Sequence, residues 1–282
     1  MDSLGFQKRK VFHFVIYYFL LIVATLIIFM PILWMISVSL RPNKEVLLTP
    51  PAWIPQTFTI EAYRSVLINP SNIRSFLNSL IVSLSVTGLS IILASLASYG
   101  FSRFRFRGKT ACSFFILVTQ MIPPIFLLLP YFIMMSRLGL YDTYLALIIT
   151  FTSFTLPFCT LMLRSYFDTV PREIDEAALI DGCSWWQALI RVILPINIPA
   201  IIATGAFAFI LAWTELLFAV ALTQSKGMRL FTVALSVYIG EYSMRWNELM
   251  AFSVLACIPL VIGWVFLQKY IIEGMTAGAI KY

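Results

Sequence analysis

A chain of 282 residues that is 60% hydrophobic and only 12% charged, with a mean hydropathy of +0.90, lies outside the range of soluble globular domains. The net charge of +7 comes from basic residues gathered beside apolar runs, which is a membrane-topology signal rather than the footprint of a nucleic-acid binder. Composition therefore excludes a soluble enzyme and a nucleic-acid module, and places most of the chain in lipid.

A helix needs about 20 mostly apolar residues to cross a hydrocarbon core of about 30 Å. Lys8, Arg9 and Lys10 precede the first window of that kind, Val11 to Leu40. This run is too long for the core of a secretory signal and is followed by no small-x-small cleavage site, so it reads as an uncleaved span. Val46 to Ile60 is short and carries Pro50, Pro51 and Pro55, which predicts an external loop. The second window, Ser75 to Ser102, runs into Arg103, Arg105, Arg107 and Lys109. Within that basic cluster Gly108-Lys109-Thr110 imitates the end of a phosphate-binding loop, but Arg103 stands where the motif needs its first glycine, so no nucleotide site is expected. Four further windows follow, Thr110 to Ser136, Thr143 to Leu163, Val192 to Thr214 and Leu249 to Gln268. Windows this long without in-out alternation predict helices, so the expected fold is an all-α membrane protein with six transmembrane helices.

The two basic clusters orient the chain with the amino terminus, the segment from Arg164 to Arg191 and the carboxyl tail in the cytoplasm; that side holds 12 basic residues against 8 outside. Pro123, Pro124, Pro130, Pro157 and Pro259 fall inside windows, where proline frees backbone carbonyls and permits kinks. Cys112, Cys159, Cys183 and Cys257 have no CxxC spacing, and the three inside windows, Cys112, Cys159 and Cys257, predict apolar fillers; neither disulfides nor a metal site is expected. His13 is the single histidine, too little for a nucleophile–base pair, and no catalytic residue is assigned. The windows contain no Asp, Glu, Lys or Arg, so the buried charges expected of a proton- or sodium-coupled secondary transporter are missing from them.

The segment between the fourth and fifth windows predicts two short helices joined at a glycine. Pro171 suits a first helical turn, Glu173, Asp175 and Glu176 suit its positive end, and Gly182 suits the left-handed residue that closes it. Ser184 with Gln187 three residues on has the form of a capping box. Ile174, Ala177, Ala178 and Asp181 fall at i, i+3, i+4 and i+7, one face with a small centre that lets another backbone approach; an ordinary amphipathic surface helix fits the same residues.

Glu176-Ala177-Ala178, Gly182, Val192, Leu194 and Pro195 stand at the spacing EAA-x3-G-x9-I-x-LP, with valine for isoleucine. This resembles the EAA loop of ABC importer permeases of the binding-protein-dependent type. The similarity extends along the chain and is closest to the shorter permease of maltose-type carbohydrate importers. Pro51-Ala52-Trp53-Ile54-Pro55 with Thr59 and Tyr63 resembles the first external loop of sugar permeases, Ala212-Trp213-Thr214-Glu215 an "AWN-acidic" segment, and Gly274 to Lys281 a "GLTAGAVK" ending.

The resemblance implies a type I (MetI-like) permease bundle with a cytoplasmic coupling helix, and carbohydrate import across a bacterial inner membrane. It divides the chain into residues 1–72, a permease core over 73–268 with the EAA loop at 171–195, and a cytoplasmic tail over 269–282. It assigns Glu176, Ala177, Ala178, Gly182, Val192, Leu194 and Pro195 to docking on ATPase subunits, and Thr276, Ala277, Gly278 and Lys281 to a second contact with them. It implies as partners a second homologous permease, two ATPases that bind ATP and Mg, and an external solute-binding protein; no cofactor is expected in this chain. Polyol or glycerol phosphate-type cargo is the alternative within the same architecture. Candidate solute contacts are Trp213, Glu215, Trp246 and Asn247, because sugars stack on aromatic faces and hydrogen-bond to polar groups.

Overall fold

The computed structural model describes residues 2–48, 52–240 and 245–277. Regular structure among them is helical: α1 (Asp2–Ser39), α2 (Asn43–Val46), α3 (Glu61–Ile68), α4 (Pro70–Arg103), α5 (Lys109–Met121), α6 (Pro124–Arg137), α7 (Tyr144–Phe167), α8 (Arg172–Ile180), α9 (Trp185–Ala188), a π-helical turn (Leu189–Ile193), α10 (Leu194–Ile196), α11 (Ile198–Trp213), α12 (Leu217–Leu222), α13 (Phe231–Gly240) and α14 (Trp246–Ala277).

Four helical stretches are long and apolar enough to cross a membrane, Ile16–Ser39, Pro70–Arg103, Tyr144–Phe167 and Trp246–Tyr270. The third and fifth windows are not single straight helices. Helices α5 and α6 meet at 98°, because Pro123 and Pro124 withhold two N–H donors and drive Ile122 into extended backbone. Trp185–Ile196 and α11 meet at 81° across Asn197, one residue before the Ile198-Pro199 start of α11. The Asn197 Nδ2 donates to the Ile193 carbonyl at 2.8 Å, satisfying backbone at the break. With each bent pair counted as one span, the described residues hold up to six candidate spans. Pro130, Pro157 and Pro259 stay inside α6, α7 and α14.

One compact unit lies within Pro70–Val237 and Ala256–Tyr282. Its centre is α4 packed along α7, with α11 against both. Ser75, Ser79, Ser83, Val86, Ser90, Ala94 and Ser98 are buried along α4 at steps of three and four, a stripe small enough for close backbone approach. Facing them on α7 are Ala146, Thr150, Thr155 and Cys159, also buried, and Ser98 Oγ donates across to the Thr160 carbonyl at 2.8 Å. Cys159 is the small filler its sequence context predicts.

At the start of α4 polar groups hold the segment 224–231. Arg74 Nε and Asn78 Nδ2 each donate to the Gly227 carbonyl at 2.9 Å, Asn78 Nδ2 also reaches the Arg229 carbonyl at 3.0 Å, and Ser79 Oγ accepts from Phe231 N at 2.8 Å. Asp142, at φ +60°, closes the cluster: its Oδ1 accepts from Gln224 N and Ser225 N at 2.9 and 3.2 Å. Burial pushes the Asp142 carboxyl up, but those donors outweigh it and hold the group below the usual carboxylate value.

The other unit lies within Met1–Asn69 and Tyr238–Leu255. Arg41, buried at the end of α1, donates to the Ala52 and Trp53 carbonyls at 2.8 and 3.3 Å, while Glu45 accepts from Gln56 N and Thr57 N at 2.7 and 3.2 Å. Thr59 N donates to the Leu40 carbonyl, and Tyr63 OH bonds Ser39 Oγ. The proline-tryptophan segment is thus folded back on α1; its Pro50 and Pro51 lie outside the described residues.

Two outcomes are expected. Ser90 and Ser83 make no hydrogen bond through their hydroxyls, so Ser90→Ala should change stability by less than about 0.5 kcal/mol, whereas Ser90→Leu should force α4 and α7 apart; thermal unfolding in detergent distinguishes them. Because the Asp142 pKa is lowered in the folded chain, its support of segment 224–231 is complete above the unfolded value of about 3.9 and lost as pH falls through the folded one. Hydrogen exchange at Gln224 and Ser225 should accelerate in that acid range, and Asp142→Asn, which keeps the acceptor, should flatten the dependence.

Candidate functional site

The segment after α7 builds the two-helix element that the sequence predicts. Helix α8 ends in a Schellman turn: Gly182 takes φ +87°, Gly182 N donates to the Leu179 carbonyl and Cys183 N to the Ala178 carbonyl, both at 3.0 Å. Ser184 then caps α9, its Oγ accepting from Gln187 N while the Gln187 side chain accepts from Ser184 N at 2.8 Å. The chain continues through the π-helical turn, which carries Val192, into α10 with Leu194 and Pro195.

The free face of α8 differs from the expected one. Ile174 is half-buried, and Asp175 and Ala178 are buried, so Glu173, Glu176, Ala177 and Ile180 form the exposed face at i, i+3, i+4 and i+7. Ile180, 86% exposed, is its apolar tip. A pair of contacts to α4 accompanies this orientation. Asp175, 2% exposed, turns inward onto α4, where Oδ1 accepts from Tyr99 OH at 2.8 Å and Oδ2 lies 2.7 Å from Arg103 Nε. The second contact lies off the N–H direction and is ionic rather than a directed hydrogen bond. Arg172 Nη2 adds a bond to the Ser102 carbonyl at 3.1 Å, one of the acceptors that a helix carboxyl end leaves without an intrahelical partner. Tyr99, Phe167, Val170, Leu189 and Ile193, with Ile174 and Leu194 against them, surround these groups with apolar side chains.

Sequence reasoning assigned Asp175 to the helix dipole and Arg103 to membrane topology, and missed Tyr99. The available signal was weak: Tyr99 and Arg103 are one turn apart at the end of an apolar run, but nothing local pairs them with Asp175.

The four solute-pathway candidates fall in different units. Trp213, 2% exposed, is enclosed by Phe76, Phe209 and Phe231 at ring separations of 5.5, 5.5 and 4.6 Å, and its Nε1 donates to the Ala256 carbonyl at 3.2 Å. The structure uses Trp213 for packing, with no ring face presented for stacking on a sugar. Glu215 is half-buried and supports the first turn of α12 by accepting from Phe218 N at 3.0 Å. In the other unit Asn247 is buried, donating to the Arg41 carbonyl at 3.2 Å and accepting from Glu248 N at 3.0 Å, while Trp246 is half-buried. Thr276 and Ala277 end α14, whereas Gly278 and Lys281 lie outside the described residues.

Residues 87–277, more than half of the chain, match the family described as the binding-protein-dependent transport system inner membrane component. The chain belongs to that family. This inner membrane component is 36% identical over 263 residues to the trehalose/maltose transport system permease protein of Thermococcus litoralis, covering 92% of this chain and 94% of that one. It is 32% identical over 251 residues to the sulfoquinovosyl glycerol transport system permease protein of Agrobacterium fabrum, covering 89% and 88%. Its fold is also that of a chain in a bacterial ABC transporter involved in import of the acidic polysaccharide alginate, with a TM-score of 0.80, 23% identity and coverage of 93% and 97%. The inner membrane component is accordingly a multi-pass, all-helical transport subunit.

The turn at Gly182 yields a direct check. A Cβ there would meet nothing within 4 Å, so the penalty of Gly182→Ala is backbone strain alone, about 1 kcal/mol. Gly182→Asn should lose less, since asparagine tolerates the left-handed region; thermal unfolding of the purified chain reads the difference.

Proposed function

We propose that this inner membrane component is a permease subunit of an ATP-driven ABC importer that carries a mono-, di- or oligosaccharide across the cytoplasmic membrane. The observation that carries this reading is similarity over nine-tenths of the chain to a trehalose/maltose permease protein, joined to an outward-facing α8 at the EAA spacing. A glycerol phosphate-type or polyol cargo is the second reading, favoured by the similarity to a sulfoquinovosyl glycerol permease protein, whose named cargo carries a glycerol group.

On this reading residues 73–268 form the permease core, between the segment 1–72 and the tail 269–282. Both termini and the segment 171–195 face the cytoplasm. The complex contains a second homologous permease, two ATPases that hold ATP and Mg, and an external binding protein. Helix α8 docks on an ATPase through Glu176, Ala177 and Ile180; Ala178 and Gly182 set its shape, and Val192, Leu194 and Pro195 carry the chain back toward the bundle. Thr276, Ala277, Gly278 and Lys281 form a second contact with the ATPases. Glu215 in one unit, and Trp246 and Asn247 in the other, are each taken as solute contacts, with Trp213 as packing support in the first.

The test is ATP hydrolysis and uptake by the chain reconstituted with its partner permease, ATPases and binding protein, scanned against sugars, polyols and glycerol phosphodiesters. Stimulation by one saccharide is expected; hydrolysis that no sugar changes would overturn the carbohydrate assignment, and stimulation by a phosphodiester would establish the second reading. The Glu176→Lys/Gly182→Asp double variant should lose solute-stimulated hydrolysis about tenfold while the membrane bundle stays folded.

A further inference from the structure

The apolar surroundings of Tyr99 and Asp175 raise a question that the docking of α8 does not answer, namely how a nine-residue helix is fixed to the bundle. An isolated helix of this length does not hold its shape in water, so its position comes from tertiary contacts. Besides its packing on α9 and the π-helical turn, its inward face offers few of them: Ile174, Ala178, part of Leu179 and one carboxylate. That carboxylate meets two groups of α4 at once, Tyr99 OH at 2.8 Å and Arg103 Nε at 2.7 Å, and these stand one helical turn apart on the same face.

We propose that Arg103, with Tyr99, is a positioning residue for the coupling element: it clamps Asp175 so that α8 and the last turn of α4 move as one piece. The proposal rests on the reading of α8 as the part that docks on an ATPase.

Magnitudes favour a clamp over an incidental pair. Arg164 and Asp168 also form an ion pair nearby, at 3.6 Å with side chains 27% and 49% exposed, where water screens the attraction. The Arg103 and Asp175 side chains are 4% and 2% exposed inside an apolar collar, so their attraction is strong and either charge left alone is strongly unfavourable. A slide of α8 by an ångström or two along α4 breaks both contacts to Asp175 and the Arg172 bond to the Ser102 carbonyl together. Such a joint resists small displacements and yields only by being broken.

The routes out of α8 make the clamp consequential. Toward α11 the chain passes the Schellman turn, the π-helical turn and the 81° break at Asn197. Helix α4, by contrast, is continuous from Pro70 to Arg103, about 50 Å at 1.5 Å per residue, and its far end holds segment 224–231 through Arg74, Asn78 and Ser79. Displacement of α8 therefore enters α4 at Arg103 without crossing a break.

The first experiment leaves the clamp intact. Spin labels at Gly100→Cys, where a side chain meets nothing within 4 Å, and at the exposed Glu173→Cys report the α4–α8 distance in a background with Cys112, Cys159, Cys183 and Cys257 replaced by alanine. The assembled importer should show the same distance without nucleotide and when trapped with ATP; a change between the two states would overturn the proposal. The second experiment replaces the charges with a covalent link. In the same background Arg103→Cys/Asp175→Cys should lower solute-stimulated ATP hydrolysis about tenfold while the ATPases still copurify. Joining the two thiols with a short bifunctional reagent should restore stimulation, because a fixed distance rather than a charge is what the clamp supplies. Full coupling of the unlinked pair, or a link that blocks uptake, would show that α8 moves independently of α4. Failure of the Glu176→Lys/Gly182→Asp variant to uncouple would instead remove the docking role of α8 and leave the distance measurement unaffected.

Discussion

The bundle depends on how closely α4 and α7 approach. Between two helices in lipid there is no hydrophobic force of the kind that packs a soluble core, since the hydrocarbon is as apolar as the side chains. What remains is contact, and contact needs small residues at the seam. Helix α4 supplies serine, valine and alanine there in steps of three and four, and α7 answers with alanine, threonine and Cys159. Ser83, Ser90, Thr150 and Thr155 make no hydrogen bond through their hydroxyls, so their contribution is chiefly one of size. The bond from Ser98 to the Thr160 carbonyl pins the register where size alone leaves it free to slip.

Directional bonds concentrate at the two ends of α4, and the division is physical. Helix ends leave backbone groups without intrahelical partners, and side-chain charge is tolerable only near the edge of the hydrocarbon or in a satisfied site. At the start of α4, Arg74, Asn78 and Ser79 collect the carbonyls and one N–H of segment 224–231. At its end, Tyr99 and Arg103 collect Asp175, while the Ser102 carbonyl accepts from Arg172. The middle of the helix is a smooth contact surface and its ends are attachment points.

What was legible in the sequence was what local chemistry decides. Uncharged windows located the helices, and Gly182, Ser184 and Gln187 announced the turn and cap after α8 because both motifs close within six residues. Features that depend on residues far apart were not legible. Asp175 is paired with Tyr99 across a separation of 76 positions, so helical periodicity set the free face of α8 one residue away from where the structure places it. Pro123 and Pro124 announced a kink but not a 98° turn, whose size depends on what the two halves pack against. Trp213 read as a ligand-stacking aromatic because sugars stack on aromatic faces. Its burial follows from Phe76 and Phe231, which come from other helices.

The EAA spacing combines two requirements that the structure separates. Glu176 and Ala177 stand on the exposed face of α8, together with Ile180, which the motif leaves unspecified. Ala178 is buried on the opposite face, where a larger side chain would lift α8 from its bed, and Gly182 is fixed by a backbone angle rather than by any neighbour. Val192 lies in the π-helical turn and Leu194 and Pro195 in α10, just before the break at Asn197. A fixed spacing therefore need not mark a single contact surface. In this chain part of it shapes the element, part presents it, and Asp175, just before the motif begins, sets the direction in which it faces.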